Sequence, residues 1–174
     1  MSDWLNIRGG SASDITEIIY QRKGMFRDMG LTDQFALDEM QRTSEQFIRA
    51  ALTNGSYHQW FAEVAGACES RVVGGVAVLT YSWVTSPTNF RPEKAYILNL
   101  YVYPEFRRKG VARKLMETAI KWCLSQHFAS VDLHASEIGA LLYHKLGFKA
   151  TNEMRLELQR ASDSADRERN ARKR

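Results

Sequence analysis

Residues 96–115 read YILNLYVYPEFRRKGVARKL and join a strand pattern, a turn and a helix start. The apolar run from Tyr96 to Tyr103 predicts a mostly buried central strand, since a strand covered on both faces loses polar–apolar alternation. Pro104 ends that strand. A basic turn containing Gly110 follows, and a helical pattern begins at Val111. The stretch therefore predicts a sheet with a helix packed on it.

The turn and the first residues of this helix have the character of an anion site. The first turn of any helix leaves amide N–H groups without intrahelical partners, and the helix dipole adds partial positive charge there. Gly110 has no Cβ, so the backbone can approach a phosphate closely. The basic side chains of this stretch are Arg107, Arg108, Lys109 and Arg113, and the small residues that follow Gly110 are Val111 and Ala112. A pyrophosphate held mainly by backbone donors would suit this site, although a basic helix start that binds nothing has the same residues.

The N-terminal third predicts two helices and then a pair of strands. After Ser13 and Asp14, helical spacing relates a set of mostly apolar residues up to Gly30, namely Ile15, Ile18, Ile19, Arg22 and Phe26. A second helix is predicted over 36–52, with Met40, Phe47, Ile48 and Ala51 as its apolar face. Residues 57–64 and 71–84 are rich in aromatic and β-branched side chains, which predicts two strands joined by a hairpin loop.

After the central strand, the chain alternates between helices and strands. The patterns predict a helix over 111–127, a short strand over 130–135, a helix over 137–146 and one or two strands within 148–159. The order indicates an α/β (α+β) fold in which helices pack on a mixed sheet. Residues 1–160 are expected to form a single domain, and the charged tail 161–174 is expected to be disordered.

Composition narrows the class of protein. A net charge of +4 suits an anionic ligand but falls short of a nucleic-acid-binding surface, so no nucleic-acid partner is expected. The two cysteines, Cys68 and Cys123, have neither disulfide-framework nor zinc-site spacing, and we expect no metal. No signal-peptide pattern and no apolar run of about 20 residues occurs, which predicts a cytoplasmic protein without a membrane partner.

Two motifs resemble those of the GNAT superfamily of N-acetyltransferases. Residues 107–112, RRKGVA, resemble its Gln/Arg-x-x-Gly-x-Gly/Ala signature, and the preceding YPEF resembles its V-x-P-[DE]-[YF] run. Residues 140–148, ALLYHKLGF, resemble its A-x-x-L-Y-x-K-L-G-F segment, with one residue fewer between Ala and Tyr. The two motifs occur in the family's order, separated by one predicted helix and one predicted strand. The resemblance covers about residues 7–159.

The resemblance implies a particular fold and a ligand. The central sheet would be mixed, mostly antiparallel and splayed in the middle, with helices on both faces and acetyl-CoA lying in the gap. Backbone groups of Leu100, Tyr101 and Val102 would pair with the pantetheine arm. The pyrophosphate would be cradled by Arg107, Arg108, Lys109, Gly110, Val111 and Ala112, with further charge from Arg113. Ser136 would contact the cofactor or serve as a plain helix cap.

The resemblance also implies the chemistry, which is transfer of the acetyl group to a primary amine of a small molecule or peptide within a ternary complex. Tyr143 would be the general acid that protonates the leaving thiolate, unless it is a core aromatic. A backbone N–H of the splayed strand, at Val102 or its neighbour, would stabilise the oxyanion. Many relatives have a glutamate base on the central strand. This strand has none, so the base would be Glu93, His134 or a water relay, unless Glu93 is a solvated loop charge and His134 a hydrogen-bonded structural histidine.

The acceptor is not identified by the sequence. Its pocket is expected to come from the first two helices and the 85–94 loop. Unless they are core residues, its lining would be drawn from those regions and their edges, which hold Met25, Phe26, Arg27, Met29, Trp83 and Phe90. A homodimer is possible, since dimers are common in the superfamily. The competing hypothesis is a sensor or partner module that binds acyl-CoA without turnover.

Overall fold

The computed structural model describes residues 4–66, 70–87 and 89–156. Within them the strands are β1 (Leu5–Gly9), β2 (Tyr57–Val64), β3 (Arg71–Ser82), β4 (Glu93–Val102) and β5 (Val131–Leu133). The α-helices are α1 (Ile15–Asp28), α2 (Gln34–Thr53), α3 (Val111–Ser125) and α4 (Glu137–Lys145). Short 3₁₀ turns at Ala12–Asp14 and Pro104–Phe106 lead towards α1 and α3.

The five strands form one sheet in the order β1-β2-β3-β4-β5. Each of the first four strands pairs antiparallel with its neighbour, while β4 and β5 pair in parallel. Because β4 and β5 run in the same direction, the chain must cross back between them, and α3 makes that crossover. The mixed, mostly antiparallel sheet predicted from the resemblance is confirmed.

Helices cover both faces of the sheet. On one face α3 packs against β3 and β4 through fully buried residues such as Leu115, Met116 and Val76. On the other face α1 and α2 pack through Ile18 and Ile48. This sandwich of helices on a sheet explains why β3 and β4 read as nearly continuous apolar runs.

A β-bulge interrupts β4 and divides it into two halves. Gly75 of β3 pairs with Tyr101 and Ala77 pairs with Leu98, so β4 contains one extra residue in this interval. Asn99 lies in the interval and has a φ of 55°, in the left-handed region that Asn tolerates better than most residues. The bulge reverses the side-chain alternation. Ile97 before it and Val102 after it both face α3.

Several predicted elements need correction. Strand β1 has no counterpart in the predictions, because a five-residue edge strand with polar Asn6 and Arg8 gives little apolar signal. No strand forms over 148–156, where Phe148 packs against the core but Met154 is 98% exposed, so the residues after Phe148 bury no apolar face. Phe47, predicted for the buried face of α2, is 56% exposed, and Leu37 is buried instead.

The remaining sequence predictions concern the two cysteines, the C-terminal residues and the possibility of a membrane-spanning helix. Cys123 is a buried free thiol, as predicted. Cys68, residues 157–159 and the 161–174 tail lie outside the described residues, and the single-domain boundary at residue 160 stays a prediction. Among the described residues, no helix combines the length and apolarity needed to cross a bilayer.

The packing of α3 gives a stability test. Leu115 is fully buried at the centre of α3, whereas Leu124 on the same helix is 65% exposed. We expect Leu115→Ala to lower the free energy of unfolding by about 2–5 kcal/mol, because it leaves a cavity. Leu124→Ala is the matched control and should change it by less than about 0.5 kcal/mol. Urea denaturation measures both, and equal losses would contradict this packing.

Candidate active site

The sheet opens next to the second half of β4. Parallel pairing with β5 involves only Ala95, Tyr96 and Ile97 and ends two residues before Asn99. Beyond that point β4 stays paired with β3, through Tyr101 and Val102. Within the described residues, the other edge of this half-strand has no strand beside it. Leu100, Tyr101 and Val102, predicted to contact the pantetheine arm, therefore lie on a half-strand with one open edge, where the Val102 carbonyl already accepts a hydrogen bond from Arg107 Nε.

The turn after β4 ends at the tip of α3. Two of its residues adopt left-handed conformations, Arg108 with a φ of 61° and Gly110 with a φ of 85°. The Lys114 N–H donates to the Gly110 carbonyl at 3.1 Å, so the amides of Val111, Ala112 and Arg113 belong to the unpaired first turn. Apart from its two chain neighbours, no atom of the described residues lies within 4 Å of where a Gly110 Cβ would stand. Free donors beside open space suit an anionic group such as a diphosphate.

The basic side chains of this turn are largely engaged elsewhere. Arg107 donates from Nε to the Val102 carbonyl at 2.8 Å and pairs with the Asp28 carboxylate. Arg113 pairs with Glu117 at 2.8 Å, and the Lys109 ammonium lies 5.4 Å from the centre of the Phe106 ring. Arg107 therefore braces the turn against α1. The backbone amides, more than these charges, define the helix tip as a site.

Tyr143 lies on α4, partly buried against the α3 side of the core. Its ring covers Gly139, one turn earlier, where a Cβ would stand 2.7 Å from the Tyr143 Cε2 atom. Only glycine at 139 leaves room for this ring position. Among the described residues the hydroxyl has no hydrogen-bond partner, and burial raises the pKa of Tyr143 above its usual value. The phenol therefore keeps its proton at neutral pH.

Ser136 occupies the N-cap position of α4. Its Oγ accepts a hydrogen bond from the Gly139 N–H at 3.2 Å, which satisfies one of the free amides of the helix start. The plain capping role considered for Ser136 is therefore present. Contact of Ser136 with a cofactor stays a prediction.

The two candidate bases are both engaged. His134 follows β5, with Nδ1 against the Tyr96 hydroxyl and Nε2 at 2.5 Å from Arg155 Nη2. A guanidinium can only donate, so Nε2 must be the accepting nitrogen and is occupied. Glu93, the first residue of β4, pairs with Arg91 at 2.6 Å and lies about 20 Å along the strand from Asn99. Neither group presents a free lone pair at the bulge.

A polar network at the bulge was not among the predicted site residues. Asn99 Nδ2 donates to the Tyr57 hydroxyl at 2.7 Å, and Asn99 Oδ1 accepts from Arg22 Nη1 at 2.5 Å. The available sequence signals were an Asn inside an apolar strand and an Arg on the apolar face of the first helix. Of the residues expected to line an acceptor pocket, Phe26 lies beside the Arg22 guanidinium, while Met29, Trp83 and Phe90 are exposed.

Comparison with known proteins identifies the family. The model of the Acetyltransferase (GNAT) family matches residues 25–148, more than half of the chain. A GCN5-related N-acetyltransferase from Ralstonia eutropha JMP134 is 30% identical, with a TM-score of 0.81 over 88% of this chain and 98% of that one. This chain therefore belongs to the GNAT acetyltransferase family. The resemblance noted in the two motifs is confirmed.

Two further relatives extend the comparison. A predicted acetyltransferase from Clostridium acetobutylicum, solved with acetyl-CoA, has a TM-score of 0.78 and 24% identity over 89% of this chain and 96% of that one. Human N-acetyltransferase 8 is 33% identical over 97 residues, which are 54% of this chain. The matched region spans only 39% of the length of that human protein. In the described part of this chain, no three His, Cys, Asp or Glu side chains cluster as metal ligands would.

The pKa of Tyr143 can be tested by spectroscopic titration. Burial raises it, so the phenolate band that is present in the wild type and absent from Tyr143→Phe should appear at higher pH than that of an exposed tyrosine. The folded state then holds a proton that the unfolded chain releases near pH 10. The stabilisation that this proton gives the folded state is complete below that pH. It is lost as the pH rises through the pKa of Tyr143 in the folded protein. A difference band with an ordinary or lower midpoint would contradict the burial of this hydroxyl.

Proposed function

We propose that this chain transfers the acetyl group of acetyl-CoA to a primary amine within a ternary complex. The observation that carries the proposal is the meeting of two features at the end of β4. The open edge of Leu100–Val102 leads directly to the unpaired amides of the α3 tip. The open strand edge would hydrogen-bond the amide groups of the pantetheine arm of coenzyme A. The helix tip would bind the negatively charged diphosphate of the same molecule.

The residues of the turn support this assignment of the cofactor. Gly110 keeps the space beside the helix tip open, and the Arg107 side chain holds the turn in place through Val102 and Asp28. We infer that residues 107–112 cradle the diphosphate through their amides, and that Arg108 and Arg113 add charge at the rim. Acetyl-CoA, when bound there, supplies a thioester whose carbonyl carbon an amine can attack.

Tyr143 is the group proposed to hold the proton for the leaving thiolate. Its raised pKa keeps it protonated, and its hydroxyl has no competing partner among the described residues. A backbone N–H on the open edge, at Val102 or its neighbour, would stabilise the oxyanion. Holding both substrates side by side on this edge supplies much of the rate acceleration.

The amine must lose a proton to attack. The accepting nitrogen of His134 faces Arg155, and Glu93 is ion-paired with Arg91 at the far end of β4. We therefore favour a water-relayed base over either side chain. The cytoplasmic location stays a prediction, and a homodimer stays an open alternative.

Gly110→Glu tests the cradle, with Gly55→Glu as its matched control. Both glycines have positive φ, 85° and 76°, and open space at the Cβ position, so both variants should lose roughly 1–2 kcal/mol of stability. Only Gly110→Glu adds bulk and negative charge where the diphosphate is proposed. Calorimetry should show acetyl-CoA affinity at least about tenfold weaker for Gly110→Glu and unchanged for Gly55→Glu. Equal affinities would remove the cradle from consideration.

Tyr143→Phe tests turnover. We expect kcat for amine acetylation to fall by roughly 100-fold or more, since loss of a general acid costs about 10²–10⁴ in rate. The KM and the calorimetric affinity for acetyl-CoA should change little. The measurement is release of free thiol from acetyl-CoA across a panel of primary amines. Acetyl-CoA binding without acetylation of any amine would instead identify a sensor module.

A further inference from the structure

Arg22 is a partly buried cation with neutral hydrogen-bond partners. It lies on the sheet-facing side of α1, where Nε donates to Ser44 Oγ of α2 at 3.1 Å and Nη1 donates to Asn99 Oδ1 at 2.5 Å. Its guanidinium carbon stands 5.1 Å from the centre of the Phe26 ring. These contacts fix the position of the guanidinium without compensating its charge.

No carboxylate among the described residues forms an ion pair with Arg22. Other arginines of the chain contrast with it. Arg8 pairs with both Asp14 and Glu63, and Arg107 pairs with Asp28. Burial lowers the pKa of Arg22, because the charged guanidinium is partly removed from water. Because buried charges are normally paired, an uncompensated guanidinium held this firmly points to an anion from outside the described residues.

Arg22 has donors left for such an anion. A guanidinium carries five N–H groups, and two are used by Ser44 and Asn99. Nη2 makes no hydrogen bond within the described residues, so its N–H groups and the second N–H of Nη1 remain, on neighbouring nitrogens of the guanidinium. A carboxylate accepts from such a pair with both oxygens, in a bidentate geometry that a single ammonium cannot offer.

The position of Arg22 links it to the proposed chemistry. Asn99 is the bulge residue where β4 has just left β5, and Arg22 is hydrogen-bonded directly to its side chain. Tyr96, Leu98 and Asn99 point to the α1–α2 side of the sheet, while Leu100 and Val102 point to the α3 side. An anion on Arg22 would therefore lie on the α1–α2 side of the bulge, next to the open edge.

We propose that Arg22 binds a carboxylate of the acceptor, so that the substrates are small primary amines that also carry a carboxylate, such as amino acids. This inference rests on the proposed acetyl transfer. It names the class of amine, which the family does not specify. Asn99 and Ser44 act as positioning residues, because they hold the guanidinium and do not touch the acceptor themselves.

The test compares matched pairs of amines, each pair an amino acid and its carboxamide, by thiol release at saturating acetyl-CoA. The carboxamide keeps the amine and the side chain but lacks the negative charge. In the wild type we expect kcat/KM to be about 10- to 100-fold higher for the acid than for its carboxamide, which corresponds to the free energy of a hydrogen bond to a charged group. The difference should lie in KM and not in kcat. Arg22→Gln should erase this preference by raising KM for the acid alone, and Arg22→Lys should restore part of it.

Arg42→Gln is the matched control, since Arg42 pairs with Glu39 at 2.9 Å and is largely exposed on α2. It should keep the wild-type preference. If Arg22 had only a structural role, Arg22→Gln would lower kcat/KM equally for the acid and the carboxamide. That result would overturn the proposal. So would a wild type that acetylates both equally, which would leave acetyl transfer itself intact. Acetylation of no amine at all overturns both proposals.

A second measurement needs no variant and decides the matter if Arg22→Gln does not fold. The carboxylic acid that lacks only the amino group should inhibit the wild type competitively against the amine, and its carboxamide should inhibit at least about tenfold more weakly. Equal inhibition by the two compounds would overturn the assignment of Arg22.

Discussion

The extra residue in β4 is the constraint on which the rest of the site depends. A regular β4 would keep one set of side chains facing α3 along its whole length. The bulge at Asn99 instead lets Ile97 and Val102 share that face although their sequence separation is an odd number of positions. Pairing of β4 with β5 also ends just before this bulge. The second half of β4 therefore remains part of the core while one of its edges stays open. An open edge inside a sheet leaves backbone donors and acceptors for a ligand.

At the tip of α3, backbone amides are available for binding an anion, whereas most of the basic side chains are engaged within the protein. At the α3 tip the amides face open space beside Gly110, while the arginine and lysine side chains mostly contact Asp28, Glu117 and Phe106. Backbone donors are fixed in direction by the helix, so an anion bound there needs little reorganisation of the protein. The side chains keep the turn in its left-handed conformations, which a flexible loop would not hold.

On the α1–α2 side of the bulge, side chains define the chemistry. Asn99 accepts the left-handed conformation that the bulge needs, and its amide then bridges Tyr57 and Arg22. One residue therefore connects the backbone irregularity of β4 to the uncompensated guanidinium on α1. Removing either hydrogen bond would leave a buried polar group without its partner, which costs more than the bond itself contributes.

The sequence by itself determined the two motifs, most helix and strand positions and the α/β class, because helix periodicity, apolar runs and glycine turns are local signals. Residues 107–112 and 140–148 also carried the family resemblance. Edge strand β1 and the absence of a strand over 148–156 were decided by tertiary packing, since neither depends on a local pattern. The engaged states of His134 and Glu93 depend on Arg155 and Arg91 at close range, and β4 acquires its bulge only through its register with β3. The charge on Arg22 stands out only when the fold brings Asn99 and Ser44, but no carboxylate of the described chain, to its side. A sequence names its charged residues, and only the folded chain decides which of them find partners.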